Sequence, residues 1–230
     1  MKNVMIYNIV NTKHRYSTDE LFKVFKMQID NSLYYGWDIK DIIIGTNFEF
    51  EYKGIKSYQL TDICEFNIFN NKWYGMYELM RNGVLNDDFW FHDQDNWQIN
   101  NIDFPEFEGD LAACTYIRTA EWNTGSVFVK RNAIKTIQYI VESMKMNPVQ
   151  YQGDENWIAF LRHYSEIAKH LSTINCEYCV GYTYFTDRLE ASNKPVRVLG
   201  YMPHTHVYDH FLQEQLIPNH LKEIHENNKY

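Results

Sequence analysis

The first 45 residues constrain the fold of this chain more than any other feature of its sequence. Residues 4–10 form an apolar run, which is typical of a strand buried on both faces of a parallel sheet. A capping-box-like start at 17–20 precedes apolar residues at helical spacing, and Gly36 ends this predicted helix. Residues 41–45 form a second apolar run. The segment therefore predicts β-α-β, the opening of an α/β domain.

The rest of the chain continues this alternation of strands and helices. Further strands are predicted at 88–92, 111–116, 125–129, 174–184 and 196–202, with helices over 73–80, over 133–144 and from 153 onward. Residues 48–60 predict a hairpin or an irregular connection, and the polar segment from Asn219 predicts a peripheral tail. The chain has no internal repeat and no break in composition that would mark a linker. We therefore expect a single domain over residues 1–230.

Composition and charge exclude several classes of protein. Of the 230 residues, 45% are apolar and 17% aromatic, which is far more buriable area than a disordered chain offers. The net charge is −8 and the chain has no basic block, so a nucleic-acid partner is not expected. An anionic substrate would need its charge compensated locally, for example by a metal ion.

The sequence also bears on the compartment. It contains no stretch approaching the roughly 20 apolar residues that span a bilayer, and its first residues become polar too soon for a signal peptide. Four cysteines, Cys64, Cys114, Cys176 and Cys179, are too few for a disulfide scaffold and fit a reducing compartment. We expect a soluble, cytoplasmic protein. Cys176 and Cys179 have zinc-like spacing, but a second pair is missing, so we assign them no metal.

The segment 87–95 is the most informative motif. An apolar strand ends in Asp93 and Asp95, and ligands of open α/β sheets bind at such strand ends. In an extended chain, residues i and i+2 point the same way, so both carboxylates would face one ligand. Paired oxygen donors suit Mg²⁺ or Mn²⁺, which bridges to a diphosphate. The alternative is an ordinary polar turn, where aspartate is common.

A histidine pair follows the last predicted strand. His204 and His206 come directly after 196–202, and imidazole is a normal ligand of Mn²⁺. The alternative is a surface loop with incidental histidines. Together with the two aspartates, a site of carboxylate and histidine ligands explains these residues better.

Asn123 and Gly125 precede another predicted strand. The glycine would let the backbone approach a ligand closely, and the asparagine offers a donor and an acceptor to a hydroxyl group. A tight turn into the strand would explain both residues equally well.

Asp154 and Glu155 open a predicted helix. The N-terminal end of a helix favours ionised carboxylates, and such a carboxylate could act as a base toward a hydroxyl or bind a sugar. The alternative is ordinary capping of the helix.

In this order, the segments resemble the GT-A class of nucleotide-sugar-dependent glycosyltransferases, and most of all the glycogenin and lipopolysaccharide galactosyltransferase types. Asp93-Gln94-Asp95 matches the DxD motif, and 123–125, 154–155 and the histidines follow as in that class. The resemblance implies a Rossmann-like, mixed and mostly parallel central sheet flanked by helices. It also implies a nucleotide-binding half over 1–100, an acceptor and sugar-binding half over 101–218, and a polar tail over 219–230.

The resemblance also implies roles for single residues. Asp95 would be the firmer ligand of Mn²⁺ or Mg²⁺, Asp93 would contact the metal or the ribose, and His204 or His206 would complete the metal shell. Asp154 or Glu155 would be the base if the enzyme inverts. The nucleotide sugar would be bound by Asn8, Ile9, Val10, Asn11, Asp93, Gln94, Asn123, Gly125 and Asp154.

The implied activity is the transfer of a hexosyl or deoxyhexosyl group from a nucleoside diphosphate sugar, with UDP expected, to a hydroxyl of a glycan or another acceptor. Two departures leave retention or inversion open: His92 replaces a small residue before the DxD motif, and 203–206 replace a longer histidine-containing pattern. The alternatives are a nucleotidyltransferase acting on sugar phosphates, disfavoured because 11–15 contain no glycine, a metal-dependent nuclease, and a non-catalytic carbohydrate-binding module.

Overall fold

The computed structural model describes residues 1–9, 18–65, 67–119, 121–147, 153–181, 184–203 and 205–228. Its strands are β1 (Lys2–Tyr7), β2 (Ile42–Thr46), β3 (Glu51–Tyr52), β4 (Ile55–Lys56), β5 (Tyr58–Gln59), β6 (Phe89–His92), β7 (Asn96–Gln98), β8 (Leu111–Thr115), β9 (Trp122–Val129), β10 (Leu171–Ile174), β11 (Val180–Gly181) and β12 (Val198–Gly200). Its helices are α1 (Thr18–Tyr34), α2 (Asn71–Arg81), α3 (Ile134–Met146), α4 (Asp154–Tyr164), α5 (Phe185–Ala191), α6 (His206–Gln213) and α7 (Asn219–Asn227). In these ranges, no helix combines the length and the apolar character needed to cross a membrane.

The main sheet is mixed and mostly parallel, as predicted. Its strand order is β10-β8-β9-β6-β1-β2-β5. β9 runs antiparallel to both β6 and β8, and the other neighbouring strands pair in parallel. The carboxyl ends of β1, β6 and β8 therefore meet at one edge of the sheet, together with the beginning of β9.

Helices cover both faces of this sheet. Val4, Ile6 and Ile43 are buried in one cluster with α2 and α3, whereas Met5 and Ile44 are buried in another with α1. Successive residues of β1 and β2 thus face opposite apolar layers, which is why both strands are continuous apolar runs. Fully burying one such side chain contributes about 1.5–3 kcal/mol.

A second, smaller sheet forms where the chain leaves the main one. Its order is β11-β12-β7, with β12 parallel to β11 and antiparallel to β7. β6 belongs to the main sheet and β7 to the smaller one, and only 93–95 lie between them. The predicted DxD motif is therefore the corner at which the two sheets meet.

The predicted long strand over 174–184 is wrong. β10 ends at Ile174, and a 3₁₀ turn follows at Cys176–Tyr178 before the short strand β11. The side chain of Asn175 accepts a hydrogen bond from the backbone N–H of Glu177 at 3.0 Å, and this cap begins the turn. Helix α5, which follows β11, was not predicted.

The segment from Asn219 is not peripheral. It forms α7, in which Leu221 and His225 are buried, and Nε2 of His225 lies 3.1 Å from the hydroxyl of Tyr201. The ring of His220 stacks on Tyr34 of α1 with centroids 3.5 Å apart. The few apolar residues of this polar segment recur at helical spacing, so one face of the helix packs on the core.

Candidate functional site

The corner between the two sheets is fixed by backbone hydrogen bonds. The N–H of Asp93 donates to Gly125 O at 2.8 Å, and the N–H of Tyr201 donates to Asp95 O at 2.8 Å. The N–H of Asn96 donates to Asp93 O at 3.1 Å, which closes a turn over 93–96. The segment is therefore a turn rather than the extended chain assumed from the sequence. Both carboxylates nevertheless line the same two cavities.

The first cavity has a volume of about 160 Å³ and lies between the end of β1, α1 and the start of α2. Its walls are mainly apolar and include Leu21, Val24 and Phe69, the last of which is 58% exposed. The carboxamide of Asn8 is buried in this wall, and neither its Nδ2 nor its Oδ1 has a hydrogen-bond partner in the described part of the chain. A buried polar group without a partner costs about 1–3 kcal/mol, so a ligand with a donor and an acceptor would relieve that cost.

The second cavity has a volume of about 120 Å³ and is polar. Tyr116, Asn123 and Glu155 line it, and it shares Asp93 and Asp95 with the first cavity. The two carboxylates thus stand at the boundary between an apolar cavity and a polar one.

Two glycines of the second cavity, Gly125 and Gly200, leave room for one buried amide. A Cβ on Gly125 would lie 2.6 Å from Nδ2 of Asn96, and a Cβ on Gly200 would lie 3.1 Å from Oδ1 of Asn96. Nδ2 of Asn96 donates to Oδ1 of Asp95 at 3.0 Å. Gly125 was predicted to let a ligand approach the backbone, but the space that its missing Cβ leaves is occupied by Asn96, which orients Asp95.

Lys72 of α2 connects the acidic residues of the site. Its Nζ lies 2.8 Å from Oδ2 of Asp93 and 3.5 Å from Oδ2 of Asp154. Nζ also donates to the backbone oxygen of Thr124 at 3.3 Å. The Lys72 side chain is only 6% exposed. A buried ammonium group with these partners is a fixed positive charge beside the DxD turn.

The pKa values of this group of residues follow from burial and from their mutual charges. Burial opposes the charged form of Lys72, but Asp154 and Asp93 outweigh it and raise the pKa of the ammonium group. Burial raises the pKa of the Asp93 carboxyl, Lys72 offsets part of that change, and Asp154 adds to it. The ammonium group of Lys72 therefore stays charged, whereas a negative charge on Asp93 is opposed by burial and by the charge of Asp154.

Asp154 and Glu155 are neighbours in sequence but have different surroundings. Oδ2 of Asp154 accepts a hydrogen bond from Nε1 of Trp73 at 3.0 Å, and Asp154 is not among the described residues that line either cavity. Oε1 of Glu155 accepts from the Tyr116 hydroxyl at 2.8 Å and from the Thr124 N–H at 3.3 Å. Burial, and then the charge of Asp154, raise the pKa of Glu155 to about 7. Glu155 is thus the carboxyl group of this pair that faces the second cavity.

Some of the other residues predicted to contact the nucleotide sugar fall within the described part of the chain. Nε2 of Gln94 donates to Ile6 O at 3.0 Å, and Gln94 lines the first cavity. The side chain of Asn47 bonds both backbone groups of Ile9, at 2.8 and 2.7 Å. Oδ1 of Asn123 accepts from the Gly125 N–H at 2.9 Å. Two further predicted residues, Val10 and Asn11, lie outside the described residues.

Of the two predicted histidine ligands, only His206 falls within the described residues. His206 is exposed at the first position of α6 and does not belong to the described lining of either cavity, and His204 lies outside the described residues. The described ranges contain no group of three His, Cys, Asp or Glu residues that could hold a metal ion. Asp93 and Asp95 remain the candidate metal ligands, because hard oxygen donors are what Mg²⁺ and Mn²⁺ prefer.

His92 is a core residue behind the turn. Its ring stacks on Trp90 with centroids 4.2 Å apart, and Nε2 lies 2.9 Å from Oδ1 of Asn3. Burial lowers the pKa of His92 to about 4, so the ring is neutral at physiological pH. His92, which stands before the DxD motif where a small residue is usual, is therefore a buried residue packed against the main sheet.

Sequence reasoning missed Lys72, Asn96 and Tyr116. Lys72 carried a readable signal, because it lies four residues before Met76 and thus on the apolar stripe of its helix, where an unpaired lysine is costly. Asn96 and Tyr116 carried no such signal, since their partners are set by the meeting of the two sheets.

The chain resembles known proteins in structure but not in sequence. No protein-family model matches the sequence, and no curated protein matches it either. Solved structures do match. A glycosyltransferase involved in the glycosylation of the major capsid of PBCV-1 superposes with a TM-score of 0.56 at 9% identity, covering 94% of this chain and 99% of that one.

Two further glycosyltransferase structures are similar. GlyE of Streptococcus pneumoniae TIGR4 gives a TM-score of 0.58 at 12% identity over 100% of this chain, which spans 65% of that chain. The galactosyltransferase LgtC, solved with donor and acceptor sugar analogs, gives 0.56 at 11% identity and covers 97% of this chain and 100% of that one. At such identities the likeness establishes architecture alone, and the chain has the GT-A glycosyltransferase fold.

Proposed function

We propose that the chain is a metal-dependent glycosyltransferase that moves a sugar from a nucleoside diphosphate sugar, with UDP as the expected nucleotide, to a hydroxyl of a glycan or another acceptor. One observation carries the proposal. In a GT-A fold, Asp93 and Asp95 stand at the boundary between an apolar cavity and a polar cavity that contains Glu155. A nucleotide sugar has the same division, with a flat base at one end, a sugar at the other and a diphosphate between them.

The first cavity suits the nucleoside. Its apolar wall and the exposed ring of Phe69 offer a surface against which a base can stack. The Asn8 carboxamide offers one donor and one acceptor, and a pyrimidine edge or a ribose hydroxyl can satisfy both. This arrangement agrees with the role expected for the end of β1.

The diphosphate requires positive charge, which an acidic protein must supply locally. Lys72 supplies one fixed charge beside the turn. The donor set of Asp93 and Asp95 fits a divalent ion, since Mg²⁺ is commonly bound by one or two carboxylates together with substrate phosphates and water. Because Lys72 already contacts Asp93, we assign the main ligand role to Asp95. When bound, such an ion stabilises the charge that develops on the leaving diphosphate.

The second cavity suits the reacting sugar and the acceptor. Glu155 is the carboxyl group there, and its pKa of about 7 lets it accept a proton near neutral pH. Tyr116 and the Thr124 N–H hold its Oε1 in place. We therefore propose Glu155 as the base of an inverting transfer. Asp154, which binds Lys72 and Trp73, positions the lysine instead.

The proposal is tested by incubating the protein with a panel of UDP-sugars and Mn²⁺ and measuring UDP release. We expect UDP release by the wild-type protein to require the metal. In Asp95→Ala the rate should fall at least 100-fold and should no longer depend on the metal, since losing an electrostatic stabiliser typically costs that much. Asp87→Asn is the matched control, since Asp87 lies just before β6, at the opposite end from the DxD turn, and its side chain is 56% exposed. Unchanged activity in Asp95→Ala would contradict the assigned site.

The same purified protein also distinguishes a glycosyltransferase from a nucleotidyltransferase and from a carbohydrate-binding module. A nucleotidyltransferase would release pyrophosphate from a nucleoside triphosphate and a sugar 1-phosphate. A carbohydrate-binding module would bind free glycan, with no effect of the nucleotide or the metal. Either result in place of UDP release would replace the glycosyltransferase proposal.

A further inference from the structure

The side chain of Gln28 on α1 binds the DxD turn from its buried side. Its Nε2 donates to Gln94 O at 2.7 Å and to Asn96 O at 3.1 Å. Both partners are carbonyl oxygens, so the nitrogen of the carboxamide is the atom that faces the turn. Gln94 and Asn96 are the sequence neighbours of Asp95. One amide therefore fixes the backbone before and after the main candidate metal ligand.

The other two carbonyl oxygens of the turn are bound by backbone groups. Asp93 O and Asp95 O accept from N–H groups at 3.1 and 2.8 Å. Nδ1 of His92 also lies 3.1 Å from Asp93 O. All four carbonyl oxygens over 93–96 are thus bound inside the protein, which gives the turn one defined arrangement. Two of the four depend on a single side chain, that of Gln28.

The oxygen of the same carboxamide is left unsatisfied. Gln28 is only 1% exposed, and its Oε1 has no hydrogen-bond partner among the residues that the structure describes. An apolar side chain at this position would avoid a buried acceptor without a donor. A polar group that breaks the packing rules in this way is expected where it serves a site. Since the nitrogen of Gln28 binds the DxD turn, the site that it serves is the pair of carboxylates on that turn.

The same helix carries a matched amide that does not contact the turn. Asn31 lies three residues after Gln28 and is also 1% exposed. Its Nδ2 donates to Gln98 O at 3.0 Å, and its Oδ1 lies 3.0 Å from Nε2 of His220. Gln98 belongs to β7, the strand that follows the turn. Both amides thus attach α1 to one stretch of chain, but only Gln28 reaches the part that carries the two carboxylates.

We propose that Gln28 is a positioning residue for the metal and the nucleotide, because it holds the backbone around Asp95 and so keeps the carboxylates of Asp93 and Asp95 in the arrangement that binds a divalent ion. This inference rests on the proposed function. Gln28 does not belong to the described lining of either cavity, so it acts through the turn and not on a ligand. Removal of a group that orients metal ligands typically lowers metal affinity roughly 10- to 100-fold.

The test compares Gln28→Met with Asn31→Leu, because each variant replaces a buried carboxamide with an apolar side chain of similar size. The affinity for UDP is measured by calorimetry with and without Mn²⁺. We expect Gln28→Met to lose about tenfold in affinity when Mn²⁺ is present and to match the wild type when it is absent. Asn31→Leu should match the wild type under both conditions. An unchanged affinity of Gln28→Met with Mn²⁺, or an equal loss in both variants, would overturn the proposal.

Hydrogen exchange adds a readout that needs no nucleotide. The backbone N–H groups of 93–96 should exchange faster in Gln28→Met than in the wild type, whereas those of the main sheet should keep their rates. Unchanged exchange over 93–96 would contradict the positioning role, because the turn would then keep its order without the amide. A wild-type protein whose UDP affinity does not respond to Mn²⁺ would contradict the proposed function instead, so the two failures are distinguishable.

A second variant keeps the proposal testable if Gln28→Met folds poorly. Gln28→Asn retains the amide but is one methylene group shorter, so its nitrogen no longer reaches both carbonyl oxygens. We expect this variant to show the same loss of Mn²⁺-dependent affinity and the same faster exchange over 93–96. Wild-type behaviour of Gln28→Asn in both measurements would overturn the assignment.

Discussion

The two cavities that meet at Asp93 and Asp95 are built in opposite ways. The first is larger and mainly apolar, and the buried amide of Asn8 in its wall has no hydrogen-bond partner in the described residues. The second is smaller and polar, and its Glu155 and Asn123 already accept hydrogen bonds from the protein. An unsatisfied amide in an apolar wall is suited to binding, because a ligand gains what the empty site lacks. Carboxyl and hydroxyl groups held in place are suited to chemistry, because they need no reorganisation.

This difference between the cavities predicts which property each substitution should change. Changes in the first cavity should mainly alter binding and changes in the second mainly the rate, whereas changes at their boundary should alter both the rate and the stability of the protein.

The largest expected effect is at the boundary. Lys72→Met removes the ammonium group that Asp93 and Asp154 share and leaves two carboxylates without it. Breaking a buried ion pair on one side costs about 3–5 kcal/mol, and we expect a loss of that size in urea unfolding at pH 7. Adding Asp154→Asn to this variant should restore part of the stability. A loss below about 1 kcal/mol would show that the pair is solvated like a surface ion pair.

The next effect is on the rate. Glu155→Gln keeps the shape of the second cavity but removes its base, so we expect kcat to fall about 100- to 1000-fold while UDP binding in the first cavity is unchanged. In the wild type, kcat/KM should rise with pH through about 7 as Glu155 ionises. Glu166→Gln is the matched control, because Glu166 is exposed just after α4. Equal losses of rate and UDP affinity would contradict the division between the cavities.

The same carboxyl group should also affect stability. The folded-state pKa of Glu155 is raised, so the unfolded chain releases this proton at lower pH than the folded protein does, and stability should fall as the pH rises from about 4.5 to about 7. Glu155→Gln should remove this dependence and stabilise the protein at pH 8 by up to roughly 3 kcal/mol. This is tested by measuring the melting temperatures of both proteins between pH 5 and pH 8, in steps of about one pH unit. Parallel curves for the two proteins would refute it.

The smallest effect has opposite signs in stability and binding. Asn8→Leu replaces an amide that lacks partners with an apolar side chain of similar size, so we expect a gain of about 1 kcal/mol in stability. UDP affinity should fall at least tenfold, since the two hydrogen bonds of the carboxamide are lost and about 1.4 kcal/mol already corresponds to a factor of ten. Asn101→Leu, at an exposed position, is the control. A variant that is less stable and binds UDP normally would show that Asn8 serves the fold alone.

Much of the fold followed from local sequence patterns. The apolar runs of β1 and β2 and the spacing of α1 predicted the parallel sheet because strands covered on both faces must be apolar throughout. The apolar run of β6 likewise predicted a buried strand, and Asp93 and Asp95 follow directly after it. The 3₁₀ turn at Cys176–Tyr178 was missed, although Asn175, a common capping residue, marked the break.

The rest of the site could not be predicted from local patterns. The partners of Lys72 are 21 and 82 residues away in sequence, and Asn96 fits between glycines from different strands. Such contacts depend on how two sheets meet, and no periodicity of a single element encodes that meeting. Tertiary packing also divided Asp154 from Glu155, which the sequence presented as equivalent.

The central claim is that the two carboxylates at the boundary of the cavities bind a cation that in turn binds a nucleotide diphosphate. The most direct test is calorimetric titration of the protein with UDP, with and without Mn²⁺, in the wild type and in Asp95→Asn. We predict at least tenfold tighter binding with Mn²⁺ in the wild type, and equal affinities under both conditions in the variant. Binding of UDP by the wild type that is indifferent to Mn²⁺ would contradict the account.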